Sequence, residues 1–255
     1  MRIEVLPPPQ GLENMYNKIF TDELKDFLYS LITRFSEDVN QLFLEREQRR
    51  LELRRTGTLP DFSSSSITED KTWRISPLSE RLLCRNIDLG DVSPSDTERF
   101  QSSLLQAVDG VQVDFDDGHC PTWRNQIQGW CNIYAQVNGI SGGPDLETGP
   151  IMMLRPRAWN MTEHNIFVCG QVVPGPLVDF GILMFHCGQK LAAKGAGPFF
   201  YLSKLEDAKE AALWNRIFLY TQESLGLVTG TIKACVLIEN ILAAFQLDHI
   251  LWELR

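Results

Sequence analysis

Four short apolar runs, each ending on charge, constrain this chain more than any other feature. They are VQVDF (Val111 to Phe115), IMMLR (Ile151 to Arg155), PFFYL (Pro198 to Leu202) and TIKACVLI (Thr231 to Ile238). Each has the length and composition of a strand. Helical patterns alternate with them: DTERFQSSLLQAV, PLVDFGILMFHCGQKLAA and EDAKEAALWNRIFLYTQESL. That alternation predicts βα units built on a parallel sheet. The charges at the strand ends are Asp114, Asp116 and Asp117 on the first, Arg155 and Arg157 on the second, Lys204 on the third and Glu239 on the fourth. In α/β barrels and open α/β sheets the ligand lies beyond the carboxyl ends of the strands, where side chains from several strands converge. Four charged ends of mixed sign therefore predict one site, suited to an anionic ligand and a cation.

The front of the chain has a different rhythm. Leu24, Phe27, Leu28, Leu31, Ile32 and Phe35 recur at helical spacing from Asp22, and Val39, Leu42 and Phe43 continue it after an expected N-cap at Ser36. Its tail, LEREQRRLELRRTG, mixes Arg and Glu as a solvated helix face does. Gly57 to Asp70, GTLPDFSSSSITED, has linker composition and marks a boundary. The expected organisation is a helical domain over residues 1–85, with its linker near 57–70, and an α/β domain over 86–255.

Composition narrows the function. The 24 basic residues against 33 acidic ones, net −9, leave no reservoir of positive charge for a phosphate backbone, so nucleic acid is not an expected partner. No window approaches the roughly 18 apolar residues of a membrane span, and the opening MRIEVLPPPQGL lacks the layout of a secretory signal. An intracellular protein is expected. Cys84, Cys120, Cys131, Cys169, Cys187 and Cys235 are scattered without a CxxC pair, which predicts reduced, mostly buried thiols. The histidines His119, His164, His186 and His249 share no zinc-type spacing and read as packed or surface residues.

Carboxylates converging in a cleft are the hard oxygen ligands Mg²⁺ prefers, and Glu239 fits such a ligand. An arginine beside them can hold a substrate carboxylate or steady developing negative charge. Arg155 and Arg157 would lie on one side of an extended strand, with Pro156 between them blocking a helix, so both are expected at the cleft. These residues suggest a Mg²⁺-assisted reaction on a small anionic carbonyl compound.

Several blocks, taken in order and spacing, resemble the shorter type of malate synthase. They are GTLPDF (57–62), VDFDD (113–117), RPRAWN (155–160), GPFFYLSKLE (197–206) and GTIKACVLIENILAAFQLDHILWELR (230–255). The resemblance implies an N-terminal helical domain followed by the first half of a TIM (β/α)₈ barrel, in a truncated chain. It also implies condensation of acetyl-CoA with glyoxylate and then thioester hydrolysis, giving malate and CoA in the glyoxylate cycle, with Mg²⁺ as cofactor. By the family pattern Arg155 is the catalytic arginine, Glu239 a metal ligand, and Asp114, Asp116, Asp117 and Arg157 supporting groups. A cytoplasmic, peroxisomal or glyoxysomal location goes with that role.

The chain departs from the pattern at five positions. Asp116 stands where the family usually has Glu, Gly118 where it has a small hydroxyl residue, and Ala158 and Asn160 where it has Gly and His. Tyr134 replaces an arginine. In the family the sequence continues beyond the match to LWELR into a strand with a second metal-binding aspartate and a helical domain bearing the catalytic base. A complete barrel takes about 250 residues, and only about four βα units are legible here. Two alternatives follow: a non-catalytic truncated paralogue acting as a binding or interaction protein, and a related CoA-thioester lyase.

Overall fold

The computed structural model describes residues 3–62 and 65–255. In chain order the elements are β1 (Ile3–Val5), α1 (Glu13–Ile19), α2 (Asp22–Thr56), α3 (Ser66–Glu69), α4 (Glu80–Leu83), β2 (Asp88–Val92), α5 (Thr97–Leu104), β3 (Gly110–Asp114), α6 (Trp123–Val137), β4 (Ile151–Arg155), β5 (Thr162–Val168), β6 (Gln171–Pro174), α7 (Gly175–Leu183), α8 (Gln189–Ala193), β7 (Phe199–Leu202), α9 (Ala208–Ser224), β8 (Lys233–Val236), α10 (Ile241–Ala244) and α11 (Leu247–Glu253). A π-helical turn, Met184–Gly188, joins α7 to α8. None of the described helices is long and apolar enough to cross a membrane.

Five strands form one parallel sheet in the order β2-β3-β4-β7-β8. Each strand lies beside the one before it in the chain, without the reversal of order that marks doubly wound sheets, and this is the winding of a (β/α) barrel. Four strands were legible in the sequence. The fifth, β2, reads DLGDV, too polar and Gly-containing to stand out. A second, antiparallel sheet, β1-β5-β6, was also not anticipated. Cys169 and Gly170, both at positive φ, make the two-residue turn between β5 and β6.

Alternation along the strands separates two faces. Val111, Val113, Leu154, Phe200 and Leu202 point into the main core with the helices. Ile151, Met153 and Phe199 point the other way and form a separate cluster with Leu82, Tyr201 and Cys235. In a barrel that second face is the interior. Here α4 and the segment before it cover part of it, leaving a cavity of about 370 Å³ bounded by Ile75, Leu78, Met153, Phe199 and Leu251. Strand β8 pairs with β7 alone among the described residues.

The front helix is continuous. Ser36, expected to cap a second helix, lies inside α2, which starts at the Thr21 cap and ends on Gly57 in the left-handed region. Nothing stops the helix at Ser36, because the apolar stripe Leu24, Leu28, Leu31, Ile32, Phe35, Val39 and Leu42 runs through it and packs on α7. At the crossing Gly181 lets Leu28 and Leu31 approach to distances a side chain would forbid. The Arg/Glu tail is also not simply solvated. Arg46 is held by Glu210 through two bonds of 2.8 and 2.6 Å, and Arg49 by Asp207 at 2.5 Å. Ser63 and Ser64, in the middle of the expected linker, lie outside the described residues. All six cysteines are free, and Cys84, Cys120 and Cys169 are exposed, so the thiols are less buried than expected.

Candidate functional site

The charged strand ends meet. Asp114 and Arg155 are direct neighbours across the β3–β4 ladder, the last pair of its register, so their side chains leave the sheet on the same face. Arg155 is only 3% exposed. Its Nη2 donates to Asp116 at 2.9 Å and to Asp117 at 2.5 Å, while Nη1 faces Asp91 at 3.3 Å and Asp114 at 3.5 Å. Burial of the guanidinium works against its charge, but Asp114, Asp116 and Asp117 outweigh it and raise its pKa. Its Nε is buried and has no hydrogen-bond partner.

Asp114 is wholly buried, and burial pushes its carboxyl up despite N–H donation from Asp116 and Gly118 at 2.7 and 2.6 Å. Gly118 is required for this turn. A Cβ there would lie 2.7 Å from the Asp91 carbonyl oxygen and 2.8 Å from Asp114 Oδ2. Asp116 accepts from Ser203 Oγ at 3.0 Å and from the Ala158 N–H at 3.3 Å. Asp117 is half exposed, and its hydrogen bond from Lys204 holds its carboxyl below the ordinary value.

Lys204 is the hinge of the other half. Its Nζ donates to Asp116 at 2.5 Å and Asp117 at 2.7 Å, its N–H donates to Glu239 Oε1 at 2.8 Å, and its carbonyl accepts from Arg46 at 2.9 Å. Asp91 and Lys204 are two of the three non-glycine residues at positive φ among the described residues, with φ of 52° and 56°. Such backbone costs of order 1–3 kcal/mol and gathers at functional sites. Asp91 was missed because β2 was not recognised, whereas Lys204 was read as the charge that ends the third strand but was given no chemical role.

Arg157 is not brought to this cluster. The chain leaves the extended register at Pro156, and Arg157 turns back under the sheet, 2% exposed. Asp179 of α7 takes its N–H, Nε and Nη2, each at 2.9 Å, and Glu163 of β5 takes Nη1 at 2.8 Å. It ties α7 and β5 to the loop that follows Arg155. Asp179 is bound in turn to Gln126, and Gln126 to His119 at 2.6 Å, so the acidic loop is anchored through a buried chain of hydrogen bonds.

Glu239 is exposed at the rim, beside a cavity of about 450 Å³ that it shares with Lys204, Asn160, Asn240 and Arg46. A resident Mg²⁺ fits these residues poorly. The carboxylates nearest Lys204 are closed by ammonium and guanidinium, and Glu239 has given one oxygen to a backbone N–H.

Comparisons with known proteins agree on one family. The profile of the malate synthase TIM barrel domain matches residues 151–255. The malate synthase of Streptomyces clavuligerus is 38% identical over 254 residues, covering 94% of this chain and 46% of its own length. The glyoxysomal malate synthase of Candida tropicalis is 36% identical, with coverage of 93% and 45%. Malate synthase A of Escherichia coli is 35% identical, with coverage of 93% and 46%. The chain thus spans a little under half the length of the curated relatives it matches.

Proposed function

Because the chain belongs to the malate synthase family, we propose that it carries the arginine-and-carboxylate part of a site that condenses acetyl-CoA with glyoxylate and, with water, gives malate and CoA. One observation carries this reading. Arg155 is buried at the carboxyl end of a parallel sheet, fixed by carboxylates on both Nη atoms, with Nε uncommitted.

The chemistry asks for such a group. Loss of an α proton from acetyl-CoA, to the base that the family resemblance places in a separate helical domain, puts negative charge on the thioester oxygen, and a fixed cation in a poorly solvated site lowers the energy of that state more than of the neutral thioester. The enolate carbon then forms the C–C bond to the glyoxylate aldehyde carbon, and water cleaves the thioester, releasing CoA. Asp114, Asp116 and Asp117 hold the guanidinium in place, and Arg157 supports the loop from below. Glu239 is the residue the family resemblance would give to Mg²⁺, but its Oε1 is taken by the Lys204 N–H and Asp116 and Asp117 are closed by the Lys204 ammonium, so no step of this reading runs through the ion. A boundary near residue 85 between front helices and barrel segment, and a cytoplasmic, peroxisomal or glyoxysomal location, are proposed with this reading.

The test is glyoxylate-dependent release of CoA from acetyl-CoA by the 255-residue chain, with calorimetric titration of glyoxylate alongside. Arg155→Lys, which keeps charge but not the planar fork, is expected to lower CoA release at least about 100-fold. Release that survives the change overturns the assignment. Glyoxylate binding without turnover selects the second reading, a non-catalytic binding protein of the same fold, which the closure of Asp116 and Asp117 by Lys204 favours.

A further inference from the structure

Asp116 and Asp117 are adjacent in sequence, and both carboxylates face the same two cations. Lys204 Nζ lies 2.5 Å from Asp116 Oδ2 and 2.7 Å from Asp117 Oδ1, and Arg155 Nη2 lies 2.9 Å from Asp116 Oδ2 and 2.5 Å from Asp117 Oδ2. The remaining oxygen, Asp116 Oδ1, accepts the Ala158 N–H. Every oxygen of the pair is therefore engaged. Lys204 is also fixed along its backbone, by Glu239 on one side and Arg46 on the other, in the left-handed conformation. Its side chain lines the cavity that Glu239 opens onto.

We propose that the Lys204 ammonium is the resident cation of this site, filling the place between Asp116 and Asp117 that a hard divalent ion would take and competing with such an ion for the same carboxylates. Two like charges side by side need a counter-charge, and a tethered ammonium supplies it at a high effective concentration. Mg²⁺ gives up its water reluctantly and cannot easily displace a group already seated. With Arg155 and Lys204 the only cations seated on Asp91, Asp114, Asp116 and Asp117 among the described residues, loss of Lys204 leaves a stronger negative field at the mouth.

Mn²⁺ alone serves as the probe, followed by the paramagnetic signal of the free ion, so the outcome does not depend on the reaction proposed above. The full chain is expected to bind Mn²⁺ weakly, Lys204→Met at least about tenfold more tightly, and Lys204→Arg as weakly as the unchanged chain. Adding Asp116→Asn to Lys204→Met is expected to abolish the gain. A folded Lys204→Met chain with unchanged Mn²⁺ affinity overturns the proposal, as does an equal gain in Lys204→Arg. Should Lys204→Met fail to fold, amine acetylation of the unchanged chain, mapped by mass spectrometry, gives an independent answer: Mn²⁺ is expected to increase modification of Lys204, and no change or protection overturns the proposal.

Discussion

At the scale of single residues, the site depends on what Gly118 lacks. Its N–H reaches Asp114 at 2.6 Å because the Asp91 carbonyl can pass where a side chain would be, 2.7 Å from an ideal Cβ. Both Asp91 and Asp114 face Arg155, so this one contact sets the spacing of two of its partners. Gly118→Ala must push the Asp91 backbone or the Asp114 carboxylate away, at a cost of about 1–3 kcal/mol for overpacking. The denaturant midpoint measures it, and an unchanged midpoint means that the Asp91 segment yields freely. The sequence marked Gly118 only as a departure from a family pattern. Its reason became visible once β2, a strand with no apolar signature, was seen to bring Asp91 alongside. Arg157 shows the converse: its distance from Arg155 was legible as strand alternation, but the break at Pro156 was not carried through to the side chain beyond it.

Individual elements were readable where their apolar period was strong and hard to read where polarity interrupted it. Strands β3, β4 and β7 alternate between two apolar faces, and their limits agree with the sequence to within a residue. Strands β1, β5 and β6 were missed because their pattern is mixed and because β1 lies far in sequence from its partner, as Ile3 opposite Val168 illustrates. The tail of α2 was read as solvated because a charge pattern alone does not reveal a partner. Its partner is α9: Glu210 is fully buried, and Arg46 supplies both its charge and a bond to the Lys204 carbonyl. Arg46→Ala strands the Glu210 carboxylate, and a stability loss of about 3–5 kcal/mol is expected. The double change Arg46→Met with Glu210→Leu is expected to recover most of it, since an apolar pair of similar volume removes the buried charge. Equal losses in single and double variants, measured by chemical denaturation, would mean that packing rather than charge holds α2 to α9.

For the whole molecule, pH acts through groups buried in neutral form. His119 is enclosed between Ser93, 2.8 Å from Nδ1, and Gln126, 2.6 Å from Nε2. Because the Gln126 amide donates to Asp179, its carbonyl faces the ring, so Nε2 carries the proton and Nδ1 accepts from the Ser93 hydroxyl. Burial depresses the pKa below the ordinary 6.5, with Arg157 adding to it, while Asp179 and the Gln126 bond oppose it. His186, bonded to the Ile19 carbonyl, is depressed by burial in the same way. For a depressed group the unfolded chain binds more protons, so stability is complete above about pH 6.5 and is lost as pH falls toward the folded value. Asp114 and Glu210, raised by burial, act in the opposite sense, so the net curve mixes several groups. Comparison with His119→Gln isolates one of them: below about pH 6.5 the unchanged chain is expected to lose stability more steeply than the variant, by up to one proton, or about 1.4 kcal/mol per pH unit. Parallel curves from denaturation at a series of pH values would mean that His119 takes up its proton in the folded chain as easily as in the unfolded one, and that the buried chain from Ser93 to Asp179 opens before the fold does.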